Sequence, residues 1–162
     1  MQRRICALLS LVMLFSITST AFGQTPPPEY GMPLNIDKAK RVAAAAVAEA
    51  RKNNWTMAFA VVDTAGHLVY FEKMDGTQTG SVNVAIEKAK SAALFKRPTK
   101  AFQDVVAQGG VGLRILGLEG AVPVDGGLPI MEGGRIVGAI GASGGTSEQD
   151  GQCAQAGVSI LK

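Results

Sequence analysis

Residues 126–157 read GGLPIMEGGRIVGAIGASGGTSEQDGQCAQAG, and this stretch decides the fold. Two apolar runs, 128–132 and 135–142, flank Gly133-Gly134. A type I′ turn needs positive φ at both central positions, which glycine takes without steric cost, so the pair predicts a two-residue hairpin. The second run ends in Ser143-Gly144-Gly145 and is followed by Thr146-Ser147-Glu148-Gln149-Asp150. Thr146 with Gln149 three residues on fits a capping box, and Ser147 with Asp150 is a weaker version of the same signal. A hairpin strand therefore feeds through a glycine elbow into a C-terminal helix, and the upstream segments are expected to pack against this unit.

Upstream, Ile36, Ala39, Ala43, Ala46, Val47 and Ala50 recur at helical spacing, with Asn35 as a cap, Asp37 in the first turn and Asn53-Asn54 as the stop. The runs 56–63 (TMAFAVVD) and 67–73 (HLVYFEK) are expected to form an antiparallel pair across Thr64-Ala65-Gly66. The first is apolar throughout and belongs in the middle of the sheet. Ser81 is read as the cap of a second helix, with Val82, Ala85, Ile86, Ala89, Ala92 and Ala93 on its apolar face and Glu87, Lys88 and Lys90 off it. Pro98 blocks its continuation. A shorter amphipathic piece from Thr99 to Ala107 stops at Gly109-Gly110, and 111–125 reads as irregular. Strands arrive as hairpins, which predicts a mainly antiparallel sheet with helices on both faces, a three-layer α/β/α domain over 34–162.

The 162 residues suit one globular domain, and the low aromatic content of 6% beside 20 glycines argues for backbones packed closely rather than through bulky rings. Residues 1–23, with Arg3 and Arg4, an apolar stretch over 5–17 and the small-x-small site Ala21-Phe22-Gly23, read as a cleaved signal peptide. The apolar core is too short and too weakly flanked for a membrane anchor. Cleavage takes the 16 basic residues to 14 against 13 acidic, a net charge of +1. That near-neutral chain has no electrostatic footprint for nucleic acid or an anionic membrane. Export to the periplasm or beyond is the expectation. Cys6 leaves with the signal, so Cys153, flanked by Ala154 and Ala156, reads as a small core residue rather than half of a disulfide. Residues 24–33 (QTPPPEYGMP) read as a proline-rich arm.

The segments VVDTAGHLVYFEKMDG (61–76), AIEKAKSAALFKRPT (85–99), GGLPIMEGGRIVGAIGASGG (126–145) and EQDGQCAQAG (148–157) resemble the GlcG/HbpS family, the haem-degrading or DUF336 domain, over about residues 34–161. The resemblance implies a profilin-like α/β/α fold, a tendency to oligomerise, and haem or another tetrapyrrole as ligand. The implied role is that of a carrier, scavenger or sensor accessory; degradation of bound haem is implied by resemblance alone.

His67 is the chain's only histidine and the first candidate for a haem ligand, although its hairpin turn argues for exposure. Met74, Tyr70 and Cys153 are weaker ligand candidates. With no second histidine and no Cys/His pair, a zinc site is not expected. Gly141-Ala142-Ser143-Gly144-Gly145 matches the bare nucleophile-elbow pattern, between a predicted strand and helix. In known elbows the acid and histidine follow the serine, whereas His67 and Asp63 precede Ser143, which disfavours a hydrolase. The glycines have a second use. Backbone N–H groups at the helix start can form a nest for a carboxylate or propionate. That predicts a small polar cleft at Gly126, Gly127, Ser143, Gly144 and Gly145, with Lys88, Lys96, Arg97 and Thr99 as cationic and hydroxyl contacts. Three readings follow: a tetrapyrrole binder, a carboxylate-binding protein or enzyme using this cleft, and a structural homo-oligomeric periplasmic protein.

Overall fold

Gly133 and Gly134 take φ of 56° and 77°, the left-handed values that a two-residue type I′ hairpin requires. The computed structural model describes residues 26–161. The expected signal segment 1–23, with Arg3, Arg4 and Cys6, lies outside those residues, as do Gln24 and Thr25 of the arm. The described elements run α1 (Ile36–Lys52), β1 (Ala58–Val62), β2 (Leu68–Lys73), α2 (Ser81–Leu94), α3 (Lys100–Ala107), a 3-10 helix (Gly110–Gly117), β3 (Gly127–Glu132), β4 (Arg135–Ser143) and α4 (Ser147–Val158).

The four strands form one sheet in the order β2-β1-β4-β3, antiparallel at every pairing. All five residues of β1 are buried, which suits an apolar run flanked on both sides and covered on both faces. Its alternation divides the core. Phe59 and Val61 face α1 and α4 with Val42, Val47, Ile140 and Cys153, while Ala58, Ala60 and Val62 face α2 with Ala85, Ala89, Ala92 and Ala139. The three-layer α/β/α architecture is therefore present.

On the α2 side nearly every contact is alanine or glycine, so the helix lies close to the strands. A methyl at Gly141 would collide with the Ala85 carbonyl and the Ala89 nitrogen. Asn35 caps α1 through its side chain, which accepts from the Lys38 N–H at 3.0 Å. Thr146 and Gln149 complete a full capping box at α4.

Three local expectations need correction. Ser81 is the first residue of α2 rather than its cap; Gly80 occupies the cap position with no side-chain bond. Lys88 does not lie off the buried face but is wholly enclosed. Part of the segment read as irregular over 111–125 folds into the 3-10 helix, which packs on α3 and leaves Val111, Leu113 and Leu116 exposed. The arm joins the sheet: Gly31 N–H donates to the Ile136 carbonyl and Ile136 N–H to that of Glu29. Among the described residues no helix is long and apolar enough to cross a membrane.

Candidate functional site

The glycine-rich elbow is filled by the protein itself. Lys88, carried by α2 into the space under β3 and β4, places its Nζ 2.7 Å from Asp150 Oδ2 and 3.1 Å from the Ala142 carbonyl. The side chains of this pair are 1% and 5% exposed. Gly145 N–H donates to Asp150 Oδ1 at 3.0 Å, so the nest expected to hold a ligand carboxylate holds the carboxylate of Asp150. Burial pushes the Asp150 carboxyl up, and the Lys88 ammonium and the amides of Gly145 and Gly144 pull it back.

Gly126 and Gly127 are required by this arrangement. A Cβ on Gly126, whose φ is +115°, would sit 2.9 Å from Lys88 Nζ, and one on Gly127 would strike the Lys88 carbonyl. Thr99 is buried and fully engaged: its Oγ1 accepts from Gly127 N–H at 2.9 Å, and its own N–H donates to the Gly127 carbonyl. Among the described residues no buried side-chain nitrogen or oxygen lacks a partner. The polar cleft expected at Gly126, Gly127, Ser143 and Gly144 is thus a packed joint, because glycines without Cβ let α2 close the gap. Lys88, Thr99, Gly126, Gly127, Ser143, Gly144 and Gly145 are brought together there, and Arg97 is not among them.

His67 lies elsewhere. Asp63 organises the β1–β2 turn by accepting from the N–H groups of Ala65 and His67 at 2.8 and 2.9 Å, with His67 Nδ1 3.2 Å from its second oxygen. Burial raises the Asp63 carboxyl, but these contacts outweigh it and hold the group below its ordinary value. The imidazole side chain is 80% exposed. This exposure agrees with the hairpin turn, and His67 lines neither of the two grooves described below. Nor does a triad assemble. Ser143 pairs with Ala58 at the start of β1, whereas His67 follows the end of that strand.

An apolar groove of about 500 Å³ opens instead at the β3 edge of the sheet. Leu128, Pro129 and Met131 of β3 and Ile136 of β4 line it, with Val158 of α4 and Pro28 of the arm. Lys96, Arg97 and Pro98, the link between α2 and α3, complete its rim. The Lys96 ammonium lies 4.2 Å from the centroid of the Tyr30 ring, and the Arg97 guanidinium carbon 5.5 Å from that of Phe102. Among the described residues neither cation has a carboxylate partner within ion-pair distance. A second groove of about 380 Å³ continues from the first through Pro98, Leu128 and Gln155 toward Lys100, Asp125 and Glu148.

Lys96 and Arg97, expected beside the glycine elbow, lie instead at the rim of this groove, whose apolar walls sequence reasoning did not name. Five separated segments build the groove, and no local spacing announces that. One signal was available: in Leu94-Phe95-Lys96-Arg97-Pro98 a helix stops at a lysine where glycine is usual.

The remaining candidate side chains hold structural places. Cys153 is buried in the core between α1, α4 and the sheet, where burial, with Glu49 and Asp150 nearby, pushes its thiol up to about 12. Tyr70 donates to Glu72 Oε2 at 3.0 Å, and Met74 packs against the main core. Among the described residues no group of three or more His, Cys, Asp or Glu side chains is placed to hold a metal ion.

Comparison with known proteins agrees with this architecture. A family described as "Haem degrading protein HbpS-like" matches residues 34–159. Protein GlcG of Escherichia coli (strain K12) is 37% identical over 110 residues, covering 68% of this chain and 81% of that protein. The crystal structure of Klebsiella pneumoniae protein ORFY superposes with a TM-score of 0.73 at 29% identity, over 86% of this chain and 100% of that one. The crystal structure of a PduOC:heme complex gives the same TM-score at 27% identity, over 81% and 96%. With the matched region beginning at Leu34, where α1 is about to start, and ending at Ser159, just past α4, the chain belongs to the HbpS-like family.

Proposed function

We propose that this chain is an exported binding protein for haem or a closely similar tetrapyrrole, held in the groove at the β3 edge. The observation that carries the reading is the pairing of apolar walls with two cations that no carboxylate among the described residues neutralises. A porphyrin is a flat apolar disc with propionates on one edge. The groove's volume falls within the range of small-molecule sites, roughly 300–1,000 Å³, which are mostly apolar with a few placed polar groups. Leu128, Pro129 and Val158 would cover the ring, with the buried Ile136 behind them, and Arg97 and Lys96 would meet the propionates. Met131 is the lining residue with a soft donor atom for iron. The PduOC:heme complex of a relative supports the ligand class. Haem supplies redox chemistry when bound; what this chain's residues supply is shelter and charge.

Export rests on the n-region, apolar stretch and cleavage site of residues 1–23. Homo-oligomerisation is part of the proposal, with the exposed Val111, Leu113 and Leu116 as the apolar surface it would cover. The carboxylate-binding alternative in the glycine elbow has less support, because Asp150 already occupies the nest.

The test is a hemin titration of residues 24–162, which retain every described residue, followed by the Soret band. A saturable shift that survives His67→Ala and weakens several-fold in Arg97→Glu is the expected result. A shift abolished by His67→Ala and untouched by Arg97→Glu would move the site to the β1–β2 turn. Loss of the band under peroxide or a reductant tests turnover separately.

A further inference from the structure

The last turn of α2 closes in a Schellman motif. Arg97 N–H donates to the Ala92 carbonyl at 3.3 Å and Lys96 N–H to the Ala93 carbonyl at 3.4 Å. The residue after the cap in this motif adopts the left-handed conformation, and here that residue is Lys96, with φ of 55°. Glycine is the usual occupant, because a Cβ in this region carries a steric penalty. Among the described residues only Asn54 shares a positive φ without being glycine, and asparagine tolerates it far better than lysine.

The arm accounts for the rest. Tyr30 donates its hydroxyl to the Ala93 carbonyl at 2.8 Å, so it grips the same helix end, and its main chain bridges to Ile136 of β4. Its ring lies beneath the Lys96 ammonium, and Pro28, two residues earlier, is part of the groove wall. The turn itself would be better served by glycine, so what Lys96 adds at this position is its side chain, braced by an aromatic ring at the rim of an apolar groove.

We infer that the N-terminal arm is part of the ligand site: Tyr30 positions Lys96, whose ammonium binds a carboxylate of the ligand held in the groove. The inference rests on the binding reading above, which already gives Lys96 to the ligand's acidic edge, and adds Tyr30 and the arm that hold it there. Lys96 is then a ligand contact, and Tyr30 a positioning residue acting through it.

Two probes and three variants test it: hemin with free propionates and its dimethyl ester, against Lys96→Gly, Tyr30→Leu and Tyr30→Phe. Lys96→Gly should keep or raise the thermal midpoint, because glycine suits the turn, while weakening hemin binding about five- to tenfold. Tyr30→Leu should weaken hemin in the same way, with Tyr30→Phe, which keeps the ring, in between. With the diester these differences should vanish. Equal hemin affinity in wild type and Lys96→Gly would overturn the inference and leave the binding reading standing. So would equal losses on hemin and diester, which would make the role structural. Absence of saturable hemin binding to the wild type would overturn both.

Discussion

Replacing Lys88 by methionine tests the packed joint at the centre of the fold. The substitution keeps the length of the side chain and removes its charge, leaving Asp150, 3% exposed, without its ion-pair partner. Only the glycine amides would still serve that carboxylate. Removing one partner of a buried pair costs about 3–5 kcal/mol, because the remaining charge is stranded in a poorly solvating interior. Against the roughly 5–15 kcal/mol that holds a domain together, this is a large loss that still permits folding. It corresponds to a fall of roughly 10–15 °C in the melting midpoint for a domain of this size.

The pH dependence adds a sign. Burial already raises the Asp150 carboxyl, and without Lys88 beside it the group rises further. A folded-state value above the unfolded one means the folded protein takes up the proton first as pH falls. The deficit of Lys88→Met should therefore be largest at neutral pH and shrink toward the ordinary carboxylate value of 3.8. Urea unfolding at several pH values measures it, and Lys88→Met/Asp150→Leu should recover most of the loss. A single-variant deficit below about 1 kcal/mol, or one independent of pH, would refute the reasoning.

Two more predictions concern the core. Gly141→Ala places a methyl against the Ala85 carbonyl and the Ala89 nitrogen, so α2 must shift off β4. The expected cost is at least 1–3 kcal/mol in the same unfolding assay, and a neutral effect would contradict the close helix–strand approach. Cys153, its thiol pushed up to about 12 in a dry core, should resist iodoacetamide at pH 8 in the folded protein and react once it is unfolded. Rapid labelling of the native state would contradict its burial.

Most of the fold is legible in the sequence because its signals are local. Gly133-Gly134 names the hairpin, Thr146 and Gln149 the start of α4, Asn35 that of α1, and the apolar run over Ala58–Val62 the central strand. The residues misread locally are those whose environment is set across the fold. Lys88 looks like a solvated lysine until Asp150, 62 positions away, is brought beside it. The glycines at 126, 127 and 144 carry the same signature whether they open a cleft or admit a close neighbour, and only the approach of α2 and of Thr56-Met57 ahead of β1 decides. The groove was out of reach for the same reason, since its walls come from the arm, the α2–α3 link, β3, β4 and α4. His67 drew attention as the sole histidine, yet the Asp63 turn that fixes it is a local motif and already argued for exposure.

Where the ligand sits separates the β3-edge groove from the other two candidate places, the histidine turn and the glycine elbow. Amide chemical shifts of residues 24–162 titrated with zinc protoporphyrin, a diamagnetic stand-in for haem, would map it. Perturbations are expected at 96–97, 128, 130–131, 136 and 155–158, with smaller ones in the arm at 29–31. Shifts centred on 63–67, or on 126–127 and 143–145, would place the ligand at the histidine turn or the glycine elbow and contradict the groove.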